Sequence, residues 1–142
     1  MTIARFEEIC EIFCRHAKAP ATAPQEDGEG LFAIHVEYRG VVTSVIYAPG
    51  TSREQAVVLF ELGPLDGQPV EPSLIMRNLL TTNFLPWRGA HAPVFGLHPE
   101  TGGVVLQCTY PIFDTQPDGL FRLVDEGVSL ALKWREDFLM HD

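Results

Sequence analysis

Residues 31–62 of this 142-residue chain read LFAIHVEYRG VVTSVIYAPG TSREQAVVLF EL. The stretch contains three runs rich in β-branched and aromatic residues, 31–38, 41–47 and 56–62. Turn-forming pairs lie between the runs, Arg39-Gly40 and Pro49-Gly50. Because such runs fit a pleated, half-buried surface and short connections join antiparallel neighbours, the stretch predicts a three-stranded antiparallel meander.

Helical patterns lie on both sides of the meander. Residues 3–18 place one apolar stripe at 3.6-residue spacing, which predicts an amphipathic helix that covers the sheet. A second helix is predicted over about 72–85, with Pro72 at the first helical position, where the missing N–H costs no hydrogen bond. A third helix is predicted over about 118–140.

The remaining segments predict a loop and a hairpin. Residues 19–30 combine prolines, glycines and acids without an apolar period, which predicts a surface loop. Two short strands over 94–97 and 104–109 flank a turn at 98–103. The predicted order is helix, three-stranded meander, helix, β-hairpin, helix, in one domain over residues 1–142, and the class is α+β.

Composition and charge exclude several function classes. The chain is 46% hydrophobic and 20% charged, with ten Lys and Arg against nineteen Asp and Glu, a formal charge of −9. This balance disfavours nucleic acid and anionic membrane surfaces as partners. No apolar run approaches the length that spans a bilayer, so no membrane insertion is expected. The acids near the N-terminus differ from the basic head of a signal peptide, and we expect a cytoplasmic protein with reduced thiols.

The sequence offers no clear catalytic or metal-binding constellation. Cys10 and Cys14 lie four residues apart near His16, but both fall in the apolar stripe of the first helix, which favours packing over metal binding. The chain lacks the nucleophile-elbow and phosphate-loop motifs, and its five histidines lack metal-ligand spacing. We therefore expect no catalytic residue, no metal and no cofactor.

Apolar residues outside the predicted core stripes are more informative. Ile12 points almost opposite the stripe of the first helix, and Ile9 lies on its flank. The second helix carries apolar residues in nearly every direction. A helix of this kind must be buried on two sides, and in a short chain this predicts that the second side packs against another subunit related by a two-fold axis.

Two segments carry a family resemblance. Residues 79–85 read LLTTNFL, and residues 95–106 read FGLHPETGGVVL. Together with the predicted element order, they resemble the helix, hairpin and strand signature of the CesT-like (Tir chaperone) family of class I type III secretion chaperones. The resemblance extends over essentially the whole chain.

The resemblance implies a cytoplasmic bacterial homodimer that acts without ATP or metal. Such a dimer binds the N-terminal chaperone-binding region of a secreted effector in extended form, with apolar side chains in grooves and strand pairing at sheet edges. The predicted contacts fall in two sets. The effector set is Ile9, Ile12, Phe32 and Ile34, and the dimer-interface set is Leu80, Phe84 and Trp87.

Two other function classes stay open at this point. One is a small α+β enzyme or ligand-binding domain with an enclosed pocket, in which His35 or His98 would act as acid or base. The other is a regulatory adaptor that binds a folded protein. Metabolite-dependent thermal stabilisation would favour the pocket.

Overall fold

The structure is a computed structural model that describes residues 2–84 and 93–139. Its elements, in chain order, are α1 (Thr2–His16), β1 (Gln25–Glu26), β2 (Phe32–Tyr38), β3 (Val41–Tyr47), β4 (Gln55–Pro64), α2 (Pro72–Phe84), β5 (Val94–Leu97), β6 (Gly103–Pro111) and α3 (Gly119–Asp137). This order confirms the predicted α+β class, the meander and the hairpin.

The strands form one six-stranded sheet in the order β1-β2-β3-β4-β6-β5, and every neighbouring pair is antiparallel. The prediction of a loop over 19–30 was wrong at one point, because Gln25 and Glu26 pair with the outer edge of β2. Their sequence carries no strand signal. The pairing joins main-chain groups, which any residue except proline supplies in full, so side-chain patterning does not reveal it.

One face of the sheet forms the core. The register aligns Ile34, Val45, Val58 and Cys108 in a row across four strands, and all four are buried. Helices α1 and α3 cover this face. The ring of Phe6 stacks on that of Tyr47 with centroids 5.2 Å apart. The alternation of buried and open positions along each strand thus decides which face the helices cover.

Close packing and a tight turn fix the meander against α3. A Cβ on Gly127 of α3 would lie 2.2 Å from the ring of Phe60 on β4, so only glycine allows this approach. Between β2 and β3, Arg39 and Gly40 have φ of 52° and 78°. Positive φ at both central residues is typical of the two-residue turn whose twist matches a hairpin.

Two arginines fasten the helices to the sheet. On α3, Arg135 donates hydrogen bonds to the carbonyls of Gly40, Glu61 and Leu62 at 2.6–2.9 Å, where β4 is bulged. On α1, Arg5 donates to the carbonyl of Ile112 at 2.8 Å. Each guanidinium satisfies main-chain carbonyls that the strand ladder leaves open, which anchors a helix at a defined position.

No helix in residues 2–84 and 93–139 is long and apolar enough to cross a membrane. Cys10 and Cys14 are both buried, which confirms that they belong to the packing stripe of α1.

Candidate binding surfaces

Helix α2 has one apolar face in the core and another open to solvent. Ile75 and Leu79 are buried, whereas the side chains of Leu80 and Phe84 are 65% and 87% exposed. A groove of about 600 Å³ runs along the open face and is lined by Ser73, Met76, Arg77, Leu80, Thr81 and Phe84. A contiguous exposed apolar face of this kind is typical of a protein interface.

Asn83, near the end of α2, holds the helix against the edge of β5. Its amide nitrogen donates to the carbonyl oxygen of Phe95 at 3.0 Å, and its Oδ1 accepts from the Phe95 N–H at 2.8 Å. The amide therefore pairs with both main-chain groups that Phe95 turns away from β6. This contact fixes the orientation of the open face of α2 relative to the sheet.

A second candidate surface is a cleft of about 280 Å³ between α1 and α3. Ile9, Ile12 and Phe13 of α1 line one side, and Leu120 and Phe121 of α3 line the other. Phe121 also contacts Tyr38 of β2 and His16, with ring centroids 5.5 and 5.9 Å apart. The apolar cleft therefore continues through aromatic contacts to the outer strand of the sheet.

The polar groups of this cleft are paired with one another. The Tyr110 hydroxyl donates to Asp114 Oδ2 at 2.9 Å, and Arg5 donates to the Asp114 carbonyl at 2.6 Å and pairs with Glu8. Burial raises the pKa of Tyr110, and the Asp114 carboxylate raises it further. The tyrosine therefore stays neutral at physiological pH. The hydrogen bonds of this cluster support the loop after β6, and the apolar wall of the cleft is left to contact an apolar side chain of a partner.

The outer edge of β2 is a third candidate surface. β1 pairs with it through Gln25↔Ala33 and Glu26↔Phe32, and within residues 2–84 and 93–139 no strand lies opposite residues 34–38 on that side. A sheet edge of this kind presents main-chain donors and acceptors that an extended segment can pair with.

The predicted effector-contact residues lie in two different environments. Ile9 and Ile34 are buried, with 7% and 1% of their surface exposed. Ile9 lies on α1 and packs in the hydrophobic core, and Ile34 belongs to the core row of the sheet. Ile12 and Phe32 are half-buried, at the α1–α3 cleft and on the outer strand respectively. Only the second pair reaches the surface of the isolated chain.

The predicted dimer residues Leu80 and Phe84 lie together on the open face of α2. Trp87 lies outside the described residues. The prediction did not name Phe121 or Tyr38, which adjoin Ile12 and the β2 edge. Phe121 left one signal in the sequence, since it flanks the apolar stripe of the last helix. The β2 edge left none, because main-chain groups carry no residue identity.

The two histidines considered as catalytic groups make local hydrogen bonds. His35 Nδ1 lies 2.7 Å from the Ser44 hydroxyl on the sheet face opposite the helices. His98 Nδ1 accepts the N–H groups of Glu100 and Thr101 within the β5–β6 turn. Among residues 2–84 and 93–139, no group of three His, Cys, Asp or Glu side chains is placed to hold a metal ion.

The Tir chaperone protein (CesT) family model matches residues 24–135 of the chain, well over half of its length. No curated protein sequence matches this chain.

Solved structures show the same fold at low sequence identity. A chain of the ExsC–ExsE complex is 16% identical, with a TM-score of 0.67 and 98% and 97% of the two chains covered. A chain of the HopA1–SchA chaperone–effector complex is 15% identical, with a TM-score of 0.63 and coverage of 96% and 97%. A chain of the Yersinia pestis type III secretion chaperone SycH with a YscM2 fragment is 18% identical, with a TM-score of 0.58 and coverage of 90% and 98%.

Proposed function

The chain belongs to the Tir chaperone protein (CesT) family of type III secretion chaperones, and we propose that it binds the N-terminal chaperone-binding region of a secreted effector in extended form. The family match over residues 24–135 carries this proposal. The binding keeps the effector segment soluble and unfolded for secretion, and it uses no ATP. The protein acts as a binding partner in the bacterial cytoplasm and not as an enzyme.

The α1–α3 cleft supports the proposal because it is a candidate binding site for an apolar side chain. Ile12 and Phe121 form its apolar walls, and the polar groups beside them are internally paired. Ordering a long extended segment costs several kcal/mol of conformational entropy. High affinity therefore requires several such binding sites spread over a large surface. In this proposal Ile12 and Phe32 contact the effector directly, whereas Ile9 and Ile34 shape the surface from below.

The open face of α2 supports a homodimer. Leu80 and Phe84 expose large apolar surfaces on one side of a helix whose other side is already buried. A two-fold axis lays the same face of a second copy against them and removes both surfaces from water. In this proposal Leu80 and Phe84 lie at the dimer interface, and Trp87, the third residue of the predicted set, also belongs to it.

The net charge of −9 supports a solubilising role. A protein that exposes apolar binding surfaces must resist association with itself, and like charge on every copy provides that resistance. The same charge opposes binding to nucleic acid.

A pull-down from the native host with the tagged chain tests the function. Limited proteolysis of the retained protein, followed by mass spectrometry, should identify a protected segment in the N-terminal region of one larger protein. Recovery of a partner protected throughout a folded domain would favour a regulatory adaptor. Recovery of no protein from cells that express the secretion system would contradict the proposal.

The Ile12→Asp variant tests the cleft. A charge at the mouth of an apolar cleft must be desolvated when an apolar side chain enters, so the affinity for the protected effector fragment should fall at least about tenfold while the fold is retained. Ile9→Asp, one helical turn earlier, is the matched comparison and should unfold the chain, because that position is buried. Calorimetric titration and circular dichroism measure the two effects. Unfolding of Ile12→Asp, or its normal affinity, would count against the cleft.

The Phe84→Asp variant tests the dimer. Its charge would be buried between two copies, so light scattering should report a monomer where the wild type is a dimer. Gln107→Asp is the control, because Gln107 is exposed on β6 and does not line the α2 groove, so the change should leave the dimer intact. A Phe84→Asp chain that remains dimeric would remove α2 from the interface.

A further inference from the structure

The short strand β1 occupies the start of the β2 edge, the third candidate surface described above. Its two residues pair with Ala33 and Phe32, at the N-terminal end of β2. The next position of the ladder would set Pro24 opposite Ile34, and the pairing stops there. From residue 34 onward, no strand of the part of the chain that the structure describes lies beside the edge.

The main-chain geometry shows which groups the edge presents. The N–H of Asp27 donates to the carbonyl of Leu31 at 3.0 Å, across the gap between β1 and β2. In an antiparallel ladder the groups on one side of a strand recur at every second residue. Ala33, His35 and Glu37 therefore turn their N–H and C=O groups toward the β1 side. Gln25 meets those of Ala33, and those of His35 and Glu37 face the open part of the edge.

The attachment of β1 is slight. Both of its residues are exposed, so its pairing buries little apolar surface. The Asp27 carboxylate holds the connection to β2 by accepting the N–H groups of Glu29 and Leu31. Gly28 and Gly30 have φ of 86° and 84°, in the region that favours glycine. A short, exposed strand on a glycine-containing connection separates at low cost in free energy.

We propose that residues 20–26 form a displaceable strap, which occupies the start of the β2 edge in the free protein and leaves it when the effector segment pairs along the whole edge. This proposal rests on the proposed function. The strap shields part of an edge that would otherwise pair with other copies of the chain, and the effector replaces its two residue pairs with a longer ladder. The effector strand then extends past His35 and Glu37.

The side chains around the edge indicate the chemistry of the displacing segment. On the helix side of the sheet, an added strand lies beside Phe32 and Tyr38, next to Phe121. On the opposite side it lies beside His35 and Glu37, which are exposed. Since successive side chains of a strand alternate between faces, the segment should alternate apolar residues with polar or basic ones.

A reversible cross-link tests the strap. The double variant Gln25→Cys with Ala33→Cys places thiols on paired positions, and the Cα spacing of such pairs suits a disulfide. Oxidation locks β1 on the edge, and reduction releases it. Titration with the protected effector fragment from the pull-down should show at least about tenfold weaker affinity in the oxidised form. This fold-change corresponds to the loss of one or two net hydrogen bonds between the effector and the β2 edge. Reduction should restore wild-type affinity.

A second cysteine pair controls for oxidation itself. Val94→Cys with Gln107→Cys joins paired positions of β5 and β6, remote from β1, and its affinity should not depend on redox state. A single change, Gln25→Pro, removes a strap donor and should strengthen binding. Equal affinity of the oxidised and reduced Gln25→Cys/Ala33→Cys protein would overturn the strap while leaving the chaperone function intact. Failure of the wild type to bind the fragment would overturn both.

Discussion

The two outer edges of the sheet are closed in different ways. At β5, the side chain of Asn83 pairs with both main-chain groups of Phe95 and comes from a helix that also buries Ile75 and Leu79. At β2, two exposed residues of β1 pair with the start of the strand, and no other strand among the described residues lies beside the remainder of the edge. One edge is held by a half-buried side chain on a helix that is anchored in the core, and the other by a short exposed strand.

This difference separates two tasks on one sheet. An edge anchored through a helix opens only when the helix leaves the core, which costs most of the stability of that region. An edge covered by a short exposed strand opens locally, at much lower cost. This contrast agrees with the two proposals above, in which the α2 side forms the interface between copies and the β2 side exchanges β1 for the effector segment.

The largest effect on the free energy of unfolding should come from alkaline pH, which acts on thiols buried in the core between the two edges. Burial raises the pKa of the Cys108 thiol from 9.0 to about 12 and also raises that of Cys10. Between these values the unfolded chain loses the thiol proton and the folded chain keeps it. The free energy of unfolding should therefore be unaffected below pH 9 and fall above it, by about 1.4 kcal/mol per pH unit for each such thiol.

Urea unfolding at increasing pH, followed by the fluorescence of buried Trp134, measures this decline. Burial also raises the pKa of Tyr38 and Tyr110, which acts in the same direction. Cys108→Ala should show a shallower decline than the wild type. A free energy of unfolding that stays constant as the pH passes the ordinary thiol value would show that these thiols are not buried in solution.

Asn83→Ala should have the next largest effect. It removes two hydrogen bonds and leaves the main-chain groups of Phe95 without the Asn83 amide, so we expect a loss of about 2 kcal/mol in the free energy of unfolding. Gln107→Ala, which removes an exposed amide side chain from β6 outside the α2 groove, should change it by less than about 0.5 kcal/mol. Urea unfolding at equal chain concentration separates the two variants. Equal stabilities would remove the distinction between the two edges.

Gln25→Pro should have the smallest effect on stability. The substitution removes one ladder donor from an exposed two-residue strand, so the cost should stay below about 0.5 kcal/mol. Hydrogen exchange should become faster at Ala33 and stay unchanged at Phe95. A loss of stability comparable to that of Asn83→Ala would mean that β1 is an integral strand and not a strap.

The sequence predicted the helices and the five longer strands because local geometry decides them. Period-two runs in 31–38 and 41–47 and the helical stripe of 3–18 lie within a residue or two of the observed elements. The apolar residues in every direction of the second helix predicted burial on two sides, and in the single chain one of these sides, with Leu80 and Phe84, is open. The strand β1 was missed because its pairing is made by the main chain at an edge that the folded sheet creates.

The candidate site was predicted in part, and Ile9 and Ile12 show why. Both lie off the centre of the α1 stripe and both line the cleft, yet Ile9 is buried in the folded chain whereas Ile12 is only half-buried. Periodicity states which residues share a face. It does not state which distant segment lies against that face.

The sequence by itself determined the alternation of each strand, the stripes of the helices, the net charge and the family. The tertiary structure alone decided that Asn83 meets Phe95, that Phe121 meets Tyr38 and that Gln25 meets Ala33. The physical reason is that periodicity follows from the backbone geometry of a few neighbouring residues. Contacts between distant segments depend on how whole elements pack, and main-chain pairing at an edge is nearly independent of side-chain identity.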